Sequence, residues 1–191
     1  MVERMKRRLW GKWAGLFLLS SLAAMAQMQV LDFGARGKVT LFLLGEWKAA
    51  TTDMAGQYTL TLSPKSEAVN ASCVISVAFP EEDRFDTKAR LKLRVEADCH
   101  NAAEESVERK AYAKELTAGT GYGFYCNFTD PNLRGKPSEK GNYKVTSMGK
   151  VRPHASVVLD VQILSDGFAS EPHQQLLGAI EGMEFTPPRG R

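Results

Sequence analysis

Histidine and cysteine are scarce in this chain, at three residues each, and no C-x-x-C or H-x-x-x-H spacing occurs. A zinc site or a dithiol centre legible in sequence therefore has no ligand set. No G-x-S-x-G elbow surrounds a serine, and none of His100, His154 and His173 lies in a recognisable catalytic context. Low-complexity segments are absent, and the 16 Gly and 8 Pro are ordinary for 191 residues. With 43% hydrophobic and 25% charged residues the composition is that of a folded domain, and it excludes a disordered or collagenous chain.

The longest apolar run, Ala14 to Leu22, is too short for the roughly 20 residues that cross a bilayer. Arg4, Lys6, Arg7, Arg8 and Lys12 precede it, and Ala24-Met25-Ala26 follows it. Basic flank, apolar stretch and small residues at −3 and −1 predict a secretory signal peptide over 1–26, cleaved before Gln27. Its loss changes the charge balance. The whole chain carries +3, but the leader holds five basic residues and one acid, so the mature chain has 20 against 21 and a charge of −1. Clustered phosphate-neutralising charge is missing, and nucleic acid is not an expected partner. No stable membrane span is expected after cleavage, and the expected location is periplasmic or secreted.

Residues 27–38 read as an N-terminal lead-in, 39–186 as one domain and 187–191 as a tail. Within the domain, apolar residues recur at period two: Thr40 to Leu44; Tyr58, Leu60 and Leu62; Cys73, Ile75, Val77 and Phe79; Tyr122, Phe124, Cys126 and Phe128; Tyr143 and Val145; and Val157, Leu159, Val161 and Ile163. Alternation of this kind predicts an antiparallel sheet with unequal faces. Asp86 is the expected N-cap of a helix to about Cys99, and Ser170 that of a helix carrying Leu176, Leu177, Ile180 and Met183. Phe185 starts a short final strand. Residues 102–117 fit either a helix, through Asn101 and Glu104 as a capping box, or the first arm of a hairpin returning at Tyr122. We favour the strand.

Phe85-Asp86-Thr87, Ser106-Val107-Glu108 and Gly121-Tyr122-Gly123-Phe124-Tyr125-Cys126-Asn127-Phe128-Thr129-Asp130 resemble the middle of PsbP-like domains. The ending, a long strand to Leu164 followed by Gln175 to Glu181 and Met183-Glu184-Phe185, is similar to theirs too. The resemblance covers roughly Gly45 to Phe185. It implies an α+β fold in which an antiparallel sheet is flanked by helices as an α/β/α sandwich, with a helix from Asp86 to Cys99 and a hairpin from Val107 to Phe128. The family contains accessory and binding proteins and shares no catalytic motif to carry over. A second resemblance competes: Gly45-Glu46-Trp47 is similar to the G-x-W of lipocalins, β-barrels that carry apolar ligands. The helix expected at 86–99 would interrupt the eight strands of such a barrel.

Other chemistry has a plainer account. Gly119-Thr120-Gly121 lacks the GK[ST] of a phosphate loop and precedes a strand, which makes it a hairpin turn. Asp98-Cys99-His100 are consecutive on a helix and diverge, so a helix end with one half-buried thiol replaces a metal site. Cys73 and Cys126 occupy apolar phases and read as core thiols, or as a disulfide if their strands are neighbours; the pairing among Cys73, Cys99 and Cys126 stays open. Asn70 and Asn127 each begin an N-glycosylation triplet. Arg134 to Lys144 is a solvated hairpin loop. The residues singled out for a ligand or partner surface are Trp47, Tyr125 and Asn127, with Trp47 also a core anchor. No cofactor or metal is expected. The leading expectation is an exported, non-catalytic domain that binds a protein or small ligand. The alternatives are a lipocalin-type carrier and an enzyme whose site is assembled only by folding.

Overall fold

In the computed structural model, residues 26–54, 57–80, 86–117, 119 and 121–188 are described. The leader lies almost wholly outside them. Ten strands and two helices follow in the order β1 (Gln27–Asp32), β2 (Lys38–Leu43), β3 (Trp47–Met54), β4 (Gln57–Pro64), β5 (Ala71–Ala78), α1 (Lys88–Ala103), β6 (Lys114–Leu116), β7 (Tyr122–Thr129), β8 (Val145–His154), β9 (Val157–Ser165), α2 (Glu171–Glu181) and β10 (Glu184–Thr186). The class is α+β, and every strand pairing is antiparallel. No helix among the described residues is long and apolar enough to cross a membrane.

Seven strands form the main sheet in the order β3-β4-β5-β9-β8-β7-β6, and β1-β2-β10 form a second, smaller sheet. The two ends of the main sheet, β3 and β6, do not pair, so the described strands do not close into the barrel that Gly45-Glu46-Trp47 implied. One face of the main sheet buries Leu60, Leu62, Ile75, Leu159 and Ile163 against Val39, Leu41 and Leu43 of the small sheet and Leu176, Ile180 and Met183 of the α2 region. Each such side chain contributes about 1.5–3 kcal/mol when fully buried. The opposite face carries a smaller cluster, in which Leu91, Val95, Cys99 and Ala103 of α1 meet Phe124, Cys126 and Phe128 of β7.

The predicted alternation holds in β4, β5, β7 and β9. Four expectations are corrected. Residues 27–38 are not a loose lead-in: β1 pairs with β2 along six positions. Its alternation was masked because the outward positions, Met28 and Val30, are themselves apolar. The edge strand β3 has no alternation that would mark it in the sequence, since Ala and Thr fill its middle. The helix begins after Thr87, not Asp86: the Thr87 hydroxyl accepts from the Arg90 N–H (3.2 Å), while Asp86 pairs with the Arg90 guanidinium. It also continues to Ala103, because Cys99 and Ala103 extend the i, i+4 row of Leu91 and Val95 into the core. Of the ambiguous stretch 102–117, 102–103 is therefore helix, 104–113 is turn and irregular chain, and the hairpin arm shrinks to β6. Phe185 does lie in a final strand, which joins β2.

Candidate functional site

The singled-out residues are only partly brought together. Trp47 opens β3 and is 2% exposed, with its Nε1–H donating to the Leu44 carbonyl at 2.8 Å. It is the core anchor. Tyr125 and Asn127 share the face of β7 that α2 covers. Burial raises the Tyr125 phenol above its ordinary range, and the Glu181 carboxylate adds to the effect. Asn127 belongs to a chain of hydrogen bonds invisible in sequence. The Ser147 hydroxyl donates to Asn127 Oδ1 (2.7 Å), so its oxygen accepts from His173 Nε2–H (2.9 Å). That tautomer makes His173 Nδ1 an acceptor for the Ser165 hydroxyl (2.8 Å), whose oxygen takes the Gly167 N–H (3.4 Å).

His173, Ser147 and Ser165 are all buried, and the edge of the Phe168 ring packs on the imidazole. Burial lowers the His173 pKa, favouring the neutral ring. The chain pins α2 to β7, β8 and β9. Both hydroxyls and the imidazole are buried inside the packing of α2 on the sheet. The signal in sequence was the place of His173 on the apolar stripe of α2, three residues before Leu176.

Cys73 is the core thiol expected, while Cys126 and Cys99 are not free thiols, and the bridge is not between Cys73 and Cys126. Cys99 and Cys126 form a disulfide that ties α1 to the middle of β7. Cys73 and Cys126 lie on opposite faces of the main sheet and belong to separate cores. Cys73 is a free, buried thiol, and burial pushes it up to about 12. No group of three or more His, Cys, Asp or Glu among the described residues is placed to hold a metal ion. Both glycosylation triplets begin with an engaged amide: Asn70 Nδ2 donates to Asp166 Oδ1 at 2.8 Å and pins the 139–142 turn.

Among the openings of the described residues, one lies on the half of the main sheet that α1 leaves uncovered. It is a groove of about 250 Å³ between α1 and strands β5, β9 and β8. Val74, Val95, Met148 and the Cys99 end of the disulfide make its apolar part, while Ser76, Gln162, Asp98, Lys150 and Asp160 supply polar groups. Lys150 and Asp160 are cross-strand neighbours and an ion pair, and Lys150 Nζ also stands 3.6 Å from Asp98 Oδ2 on α1. Arg94 Nε closes the row at 3.2 Å from Asp98. The Lys150 side chain is only 15% exposed, so this row of alternating charge holds the ammonium against the groove wall. Asp160 and Gln162 were legible as the off-phase residues of β9; that α1 would wall them in was not. No protein-family model matches this chain, and no curated protein matches its sequence.

Proposed function

We propose that the chain is an exported, non-catalytic binding domain of PsbP-like type, and that it holds a small ligand in the groove beside α1. The observation that carries this reading is the groove itself: an apolar bed with a few convergent polar groups, walled by a helix that a disulfide keeps in place. A volume of about 250 Å³ suits a ligand of modest size. The leader expected at 1–26 supports export, and a disulfide is at home in an oxidising compartment. A central antiparallel sheet between α1 and α2 is in keeping with the PsbP-like resemblance, although one flanking layer here is mixed, made of α2 and the small sheet. An open sheet favours this reading over a lipocalin-type carrier.

The test is a fragment titration followed by backbone amide NMR, with 1-anilinonaphthalene-8-sulfonate as a first probe. Shifts concentrated at Val74, Ser76, Met148 and Gln162, abolished by Val74→Trp with the fold intact, are expected. Fragments that shift only residues outside the groove, or whose shifts survive Val74→Trp, would overturn the assignment.

A further inference from the structure

Among the described residues the two sheets end in four edge strands, and three of them are protected in familiar ways. β6 and β10 are three residues long, and β3 carries Lys48 and Asp53 among small side chains. β1 differs. It runs six residues with no Lys or Pro, and its outward side chains Met28 and Val30 are 63% and 36% exposed. Phe42, directly opposite Met28 on β2, and Leu44 continue the apolar surface at 39% and 49% exposure. β2 occupies one side of β1, and no described strand occupies the other. With the expected cleavage after Ala26, the strand would also open the mature chain, leaving no preceding segment to fold over its edge.

We propose that β1 is a pairing strand, joining antiparallel to β1 of a second copy and fusing two three-stranded sheets into one of six strands. The complement that this edge requires is a strand with apolar residues at alternate positions and no charge in its middle, and β1, whose one charge is Asp32 at its end, is itself such a strand. Antiparallel self-pairing that keeps the outward faces together opposes residues whose numbers share parity. A two-fold axis at Gln29 sets Met28 of each copy against Val30 of the other, apolar on apolar. An axis at Val30 would set Met28 against Asp32, so the first register is preferred. The contact is isologous and closes at two copies. It is independent of the groove, which lies on the other face of the main sheet.

The experiment is light scattering on the purified exported chain, processed to begin at Gln27, over a wide concentration range. A dimer is expected. Val30→Lys should give a monomer with unchanged circular dichroism, since Val30 is outside both cores. Adding Met28→Glu to that variant should restore the dimer, because the introduced charges of opposite sign face each other only in the Gln29-centred register. A monomer at every concentration, a dimer that Val30→Lys leaves intact, or open-ended aggregation would each overturn the proposal. A dimer lost with Val30→Lys but not restored by the double variant would overturn the register.

Discussion

His173 is the residue whose surroundings set a measurable pH dependence. Its imidazole is buried and contacts a serine hydroxyl through each nitrogen, and burial favours its neutral form. Because burial lowers its pKa in the fold, the unfolded chain takes up a proton near 6.5 that the folded chain refuses. Stability from this group is therefore whole above that pH and declines as pH falls through it. Thermal melts at pH 7.5 and pH 5 should show the decline, and His173→Phe should flatten it. At pH 7.5 the same variant should cost about 1–3 kcal/mol, because Ser147 and Ser165 each lose a buried partner. An acid limb unchanged in His173→Phe would assign the decline to carboxylates instead. Glu108 is one: burial would raise it, but the Thr129 hydroxyl and N–H donate to it and hold it below the ordinary carboxylate range. Its contribution is present above the ordinary range and fades at a lower pH than that of His173.

Two glycines separate what a helix tolerates from what a sheet tolerates. Gly149 lies in β8 opposite Tyr125, and a Cβ there would overlap the Phe124 carbonyl oxygen and come within 2.7 Å of Tyr125 Cα. Gly149→Ala must push β7 away from β8, so a marked loss of stability is expected in a denaturant titration. Gly178 in α2 would meet nothing within 4 Å. Gly178→Ala should stabilise by about 0.5–1 kcal/mol through helix propensity alone. The same substitution then has opposite signs in the two elements, and a destabilised Gly178→Ala would show that α2 is packed more tightly than it stands here. Sequence periodicity located both elements. It did not predict the contrast, because Gly149 and Tyr125 meet only once β8 has paired with β7.

The molecule is asymmetric about its main sheet. One face carries a large core under the small sheet and α2, while α1 covers only the β7 and β8 end of the other, with a disulfide in the middle of a small cluster. Closing a loop of 27 residues should contribute about 3.5 kcal/mol. A Cys99→Ser, Cys126→Ser double variant should lose that much. Hydrogen exchange should quicken in α1 and β7 and leave β5 and β9 protected, since the large core does not touch the bridge. Uniform acceleration would mean that the two faces unfold as one unit. A thiol titration of the unreduced wild-type chain completes the test: none reactive in the native state and one after denaturation, from Cys73.

Alternation and helical spacing in the sequence determined which residues of β4, β5, β7, β9 and α2 point inward, because those patterns are local consequences of backbone geometry and burial. The boundaries of α1 and the strand character of β1 were not determined in that way, since a neighbouring surface decided which residues were buried. The partner of Cys99, the burial of His173 between two serines and the groove beside α1 were decided by tertiary structure alone. Each depends on which strands lie next to one another and which face a helix covers, and side chains far apart in sequence are brought together only when the sheet is complete.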